Sequence, residues 1–234
     1  MKPTKTYPAC VVGYTELRDL HDDELSLLPD EERQLQYGSP GRARQFRCGR
    51  ALLRLLLQQV TGKAAHSHEI RTEDGGKPVC IDGPGISITH TSTVVAAAVV
   101  QHGLVGIDVE SAGERHDIAS IADRFFSERE KEWLDGHSPD GFFMLWVIKE
   151  AFVKAHGQSI FGGLEKLRCT VDPPRIEASA TEGAFNSLSL YRRADTFLAV
   201  ATTELELGNV PTWYWKPGSR EFVLSDDFRL IATT

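Results

Sequence analysis

The chain has 234 residues, of which 41% are hydrophobic, enough for one sizeable core or two small ones and too many for a disordered protein. Its formal net charge of −7 argues against a general affinity for nucleic acid, because a phosphate backbone selects basic surfaces. No apolar run is long enough to span a bilayer, and "MKPTKTYPAC" has no apolar signal-peptide core, so no membrane association and a cytoplasmic location are expected.

The charge is uneven along the chain. Eight acids lie between Glu16 and Glu32, whereas Arg33 to His68 holds seven Lys or Arg and no acid. Glu31 to Gln59 reads as helical with a break at "YGSPG", where Pro40 stands between two glycines, and a second helix begins near Arg42. In it Arg47, Arg50 and Arg54 are spaced i, i+3, i+7 and form a cationic stripe opposite Phe46, Leu53 and Leu57. A solvated helix face is the ordinary explanation for such a stripe.

Turn chemistry follows at Asp74-Gly75-Gly76 and at "GPG", Gly83 to Gly85. Two apolar, β-branched runs, "ISITHTSTVVAAAVV" and "LVGIDVE", are separated by Gln101-His102-Gly103 and predict a hairpin of adjacent strands. "DIASIADRFFSEREKEWL" predicts one or two helices, with Ser127 and Glu130 at the spacing of a capping box. A further helix starts after "GHSPDG" and ends near Gly157, and strands follow in "FNSLSLYRRADTFLAVATTE" and "VPTWYW". "ISITHTSTVVAAAVV" and "LSLYRRADTFLAVATT" are alike in pattern and each follows a long helix, as in a chain of two similarly built halves.

The candidates for chemistry stand out against this background. "WVIKEAFVK" is apolar almost all round yet carries Lys149, Glu150 and Lys154, which need partners if buried; an internal Glu150–Lys154 pair at i, i+4 is the plain alternative. In "GIDVE", Asp108 and Glu110 share a strand face, where two carboxylates repel unless a cation such as Mg²⁺ lies between them. Lys77 and Pro78 of "GGKP" and Thr89 and His90 of "ITHT" offer a cation and an imidazole to a phosphorylated ligand, although a lone strand histidine is more often structural. The four cysteines, Cys10, Cys48, Cys80 and Cys169, are too scattered to form a zinc site.

Taken in order, the arginine-rich helix, "GKP", "THT", "GIDVE", "FFSEREKEWL" and "LWVIKEAFVKAHG" resemble the phosphopantetheinyl transferases of the surfactin-synthetase-activating (Sfp) type, over about Arg42 to Gly157. The resemblance implies transfer of the 4'-phosphopantetheine arm of coenzyme A to a serine of an apo acyl or peptidyl carrier protein. Asp108, Glu110 and Glu150 would hold Mg²⁺, and Lys149 and Lys154 would neutralise the pyrophosphate. Lys154 or Glu130 would serve as base, with the capping box an equal explanation for Glu130. Lys77, Pro78, Thr89 and His90, together with Arg44, Arg47 and Arg50, would bind the nucleotide end. "THT" departs from the family's commoner "SHS", and "YGSPG" from its members generally.

The fold so implied is α/β (α+β), with pseudo-symmetric halves at residues 1–105 and 106–234. Each is a long helix on a small, mostly antiparallel sheet; the protein would be a monomer with its site at the junction. The competing readings are a Mg²⁺-dependent phosphoester hydrolase or nuclease and a non-catalytic coenzyme A binding module.

Overall fold

The computed structural model describes residues 8–35, 38–73, 76–81, 83–112, 117–158, 160–203 and 208–234, without the side chains of Ile160 and Phe161. Asp74 and Gly75 of the expected turn lie outside the described residues.

From the N-terminus come β1 (Cys10–Glu16), two short acidic helices, α1 (Asp22–Leu25) and α2 (Asp30–Gln34), and the long α3 (Pro40–Thr61). The break at "YGSPG" falls where the composition puts it: Ser39 caps α3 by accepting from the Arg42 amide, and Pro40 occupies the first turn, where a missing N–H costs nothing. Next are a small ribbon of β2 (Ile70–Thr72) and β3 (Pro78–Cys80), then β4 (Gly85–His90), β5 (Val94–Val100) and β6 (Val105–Ser111). Helices α4 (Ile118–Phe125), α5 (Glu128–Asp135) and α6 (Asp140–Ala155) lead to β7 (Leu167–Asp172), β8 (Arg175–Ala180), β9 (Ser187–Arg193) and β10 (Thr196–Thr202). Strands β11 (Thr212–Lys216), β12 (Glu221–Ser225) and β13 (Arg229–Thr233) end the chain.

The result is a mixed α+β fold built on a five-stranded sheet, ordered β12-β11-β1-β5-β4, and a six-stranded sheet, ordered β6-β10-β9-β13-β8-β7. Strand alternation sorts the core into layers. Val12, Tyr14, Ala96 and Ala98 of the first sheet meet Ile107, Val109, Leu198 and Val200 of the second. The opposite face of the first sheet packs on α3 through Leu52, Leu53 and Leu56, and that of the second on α6 through Ile148, Phe152 and Phe197.

The expected hairpin around Gln101-His102-Gly103 is corrected. Strands β5 and β6 belong to different sheets, and the hairpin lies within "ISITHTSTVVAAAVV", between β4 and β5, with the Thr91 amide bonding Val94 O at 2.8 Å. β5 is buried along its whole length, flanked by β1 and β4. β6 needs one polar face for its acids and takes an edge of the other sheet.

Both parts of the chain run strand, long helix, hairpin: β1, α3, β4–β5 and β6, α6, β9–β10. In each the first strand pairs antiparallel with the hairpin's second strand. A spatial division at 105/106 does not hold, because β11 returns to lie parallel to β1 and carries β12 with it.

One glycine sets how closely α6 approaches β6. A Cβ on Gly106 would lie 1.8 Å from Ala151 O and 2.4 Å from Ala155 N, both backbone atoms that cannot rotate away. Gly106→Ala should therefore cost roughly 3 kcal/mol, at the upper end of overpacking penalties. The check is calorimetric: a fall in Tm of about 10 °C is expected for a chain of this size.

Candidate active site

Strands β4 and β6 are the facing edges of the two sheets, and edge amides need partners. The hydroxyls of "ISITH" supply them: Ser87 Oγ accepts from the Ile107 amide at 3.2 Å and Thr89 Oγ1 from the Val109 amide at 3.3 Å. The stitching places the outward acids of β6 at the seam between the sheets, beneath α6.

Three charged groups meet there. Asp108 is 3% exposed, and its Oδ1 accepts from Thr89 Oγ1 at 3.0 Å and from Lys154 Nζ at 2.5 Å. Lys154 Nζ also stands 3.4 Å from Thr89 Oγ1 and 3.9 Å from Glu150 Oε2. Asp108 Oδ2 is buried and has no hydrogen-bond partner among the described residues. Burial, and then the nearby charge of Asp108, push the Glu150 carboxyl up to about 7, with Lys154 opposing. Burial pulls the Lys154 ammonium down, but Asp108, Glu150 and Glu110 outweigh it and hold the group charged. Glu110 follows Asp108 by one pleat on the α6-facing side of β6, opposite the face of Val109.

The Glu150 shift has a measurable consequence for the metal-free protein. A carboxyl that stays protonated to higher pH in the fold than in the unfolded chain contributes stability that is complete below its ordinary value of 4.5 and is lost as pH rises through about 7. Thermal unfolding from about pH 5 to about pH 8 should show that decline, flattened in Glu150→Gln.

The donor set suits a hard divalent cation. An orphaned buried carboxylate oxygen and an acid, Glu150, whose ionisation is opposed by burial and by a neighbouring carboxylate are what such an ion relieves. Among the described residues no three of His, Cys, Asp and Glu converge as a finished metal cage, so the ion's remaining ligands would come from water and substrate.

Lys149 points elsewhere on α6. It forms a buried pair with Glu130 at 2.7 Å, both side chains 1% exposed, and also donates to Leu167 O. Glu130 completes the capping box with Ser127 and accepts from the Cys169 amide at 2.9 Å. Of the two roles open to Glu130, the cap is present and the carboxylate is occupied. The buried thiols offer no alternative nucleophile, since desolvation pushes Cys10 and Cys169 up to about 12.

Beside the seam is a cleft of about 400 Å³ lined by Arg42, Gln45, Phe46, Arg50, Gly76, Pro78, Ile88 and His90. Nearby, Gly49 lets α3 close on β4; a Cβ there would meet Ile88 Cγ2 at 2.8 Å. Of the expected nucleotide-binding residues, Arg50, Pro78 and His90 line it. Thr89 is buried against Asp108. Arg44 is turned to Leu17 O and Leu20 O at 3.0 Å each, and Arg47 to Ala43 O at 3.2 Å. Lys77 donates to Ala155 O at the end of α6, where burial lowers its ammonium against the pull of Glu73.

The cationic stripe of α3 is therefore not a solvated face, for Arg50 and Arg54 are 3% and 2% exposed. Arg42 and Gln45 escaped the sequence reading. The spacing Arg42, Gln45, Phe46, Arg50, at i, i+3, i+4, i+8, holds the signal for the correct face.

Residues 104–201 match the family profile of the 4'-phosphopantetheinyl transferase superfamily. The chain is 31% identical over 192 residues to the 4'-phosphopantetheinyl transferase HetI of Nostoc sp., an alignment covering 78% of this chain and 81% of that protein. The chain belongs to the 4'-phosphopantetheinyl transferase superfamily. Shorter alignments link this transferase to two more of its members. It is 35% identical over 117 residues to gsp of Aneurinibacillus migulanus, covering 48% of each chain, and 34% identical over 128 residues to psf-1 of Bacillus pumilus, covering 52% of this chain and 54% of that one. No helix of the described transferase is long and apolar enough to cross a membrane.

Proposed function

We propose that this transferase moves the 4'-phosphopantetheine arm of coenzyme A to a serine of an apo acyl or peptidyl carrier protein, releasing adenosine 3',5'-bisphosphate. The observation that carries the reading is the buried Asp108–Glu150–Lys154 cluster, which adjoins a cleft walled by Arg42, Arg50 and His90.

In this reading the cleft takes the nucleotide end, where Arg42 and His90 reach its phosphate and Phe46 and Ile88 provide apolar wall. Asp108, Glu110 and Glu150 would hold Mg²⁺, which would supply positive charge to a bound pyrophosphate. Lys154, kept protonated by its carboxylate neighbours, adds positive charge to the same oxygens as the serine oxygen bonds to phosphorus, its proton passes to water, and the phosphoanhydride bond to the leaving nucleotide breaks. We thus assign Lys154 to charge stabilisation rather than proton abstraction. Glu130 and Lys149 seat α5 and β7 on α6 and so steady the turn that presents Glu150. All four cysteines are free and buried, which suits a reducing compartment such as the cytoplasm. The enzyme acts as a monomer, since both halves of its site come from one chain.

The test is to incubate the protein with coenzyme A, Mg²⁺ and an apo carrier and weigh the carrier. A gain of roughly 340 Da, the arm's mass, that vanishes with EDTA and with the carrier serine changed to alanine is expected for metal-assisted transfer. Coenzyme A cleaved with the carrier unmodified would make the protein a hydrolase; coenzyme A bound with neither change would make it a binding module.

A further inference from the structure

Beneath the cleft lies a buried charge network that the chemistry above does not use. Glu32 of α2 is 8% exposed, and its two oxygens accept from Arg54 Nε and Nη2, each at 3.0 Å. Arg54 spends its remaining nitrogen on Ala65 O and His68 O, at 3.1 Å and 3.0 Å, tying α3 to the segment that leads into β2. The same Glu32 Oε1 stands 3.9 Å from Arg50 Nη1. Arg50 also donates through Nη2 to Thr72 Oγ1 of β2 at 2.6 Å and lies over the Phe46 ring at 5.3 Å. Arg50 and Phe46 form the cleft floor.

Two arginines thus share one carboxylate, and only one of them reaches the cleft. Arg54 takes both oxygens in a bidentate pair, the strongest arrangement open to it. Arg50 feels the carboxylate at longer range, as an electrostatic restraint on a side chain that otherwise has many rotamers. Ordering such a side chain before a ligand arrives removes that cost from binding.

We infer that Glu32 is a positioning residue for coenzyme A, holding Arg50 in place at the floor of the nucleotide cleft from a helix that itself touches no substrate. This rests on the transferase reading. It also gives the acidic N-terminal stretch a purpose: one of its eight acids is drawn inside to organise the basic block that follows.

The experiment is steady-state transfer at varied coenzyme A, with binding of coenzyme A measured by calorimetry. Wild type is measured first, since no binding and no transfer there would remove the transferase reading itself. Given an active wild type, Glu32→Gln should raise KM for coenzyme A about fivefold or more with kcat within about twofold, because only ground-state binding is lost. Glu32→Gln leaves Arg54 buried without its countercharge and can fail to fold, so a second variant, Glu32→Leu with Arg54→Leu, replaces the pair by apolar groups and leaves Arg50 in place. It should raise KM to the same extent and add nothing in an Arg50→Met background. A lowered Tm with KM unchanged in the folded variants, a fall confined to kcat, or a KM rise that persists without Arg50 would each overturn the inference.

Discussion

Glu150→Gln is expected to lower kcat for transfer by about 100-fold or more, while coenzyme A binding weakens by much less. The amide keeps the size of the carboxylate but brings no negative charge to the place where Asp108 Oδ2 already lacks a partner. Metal affinity should fall with it, whereas Arg42, Arg50 and His90 still line the cleft proposed for the nucleotide. The substitution should be stable when metal-free, because it removes an acid whose ionised form is penalised by burial and by Asp108. Single-turnover transfer, coenzyme A calorimetry and unfolding at about pH 8, measured on one preparation, check all three. Retention of more than about a tenth of wild-type kcat would remove Glu150 from the machinery.

Lys154→Met is expected to have the second-largest effect, and to differ in kind. Without the ammonium, Asp108 Oδ1 loses its charged partner and keeps only Thr89 Oγ1, and two buried carboxylates face each other between β6 and α6. Breaking a buried pair by removing one partner costs about 3–5 kcal/mol, although Lys154 keeps 32% of its side chain exposed and the cost should sit at or below the low end. Transfer should fall by about 100-fold, since the proposed mechanism loses one of its two positive charges on the pyrophosphate. Added Mg²⁺ should raise the Tm of this variant more than that of wild type, because the dication takes over the role the lysine plays in the metal-free protein. An unchanged Tm response would mean that the carboxylates do not share the ion.

The contrast with Lys149, five residues earlier on the same helix, shows how far sequence reasoning reaches. Both lysines sit in an apolar helix, and burial alone demands a partner for each. Which partner is a matter of helix phase. Lys149 lies on the flank that meets α5 and β7, so it finds Glu130 and Leu167 O, whereas Lys154 lies over β6 and finds Asp108. A wheel drawn from the sequence puts the charges on arcs but does not say which element covers which arc.

The arginines of α3 carry the same lesson. Their spacing was legible and the choice of face was not, because the acid that draws Arg54 and Arg50 inward comes from α2, 22 residues before Arg54. The resemblance implies ligand contacts for Thr89 and Lys77, whose bonds within the fold are set by distant elements. In the fold they bond the β6 edge and the end of α6, groups far away in sequence.

By itself the sequence determined the class of chemistry. "GIDVE" puts two acids on one strand face by a period of two, and "WVIKEAFVK" commits a glutamate and lysines to a buried helix. Ser127 and Gly157 mark where helices begin and end. These are local matters of backbone geometry and desolvation, readable within a dozen residues. Tertiary structure alone decided that β5 and β6 part into separate sheets, that β11 and β12 return to the first, and that Gly106 lets α6 down onto β6 until Lys154 meets Asp108. Long-range pairing satisfies amides and charges with groups from anywhere in the chain, and so no local pattern encodes it.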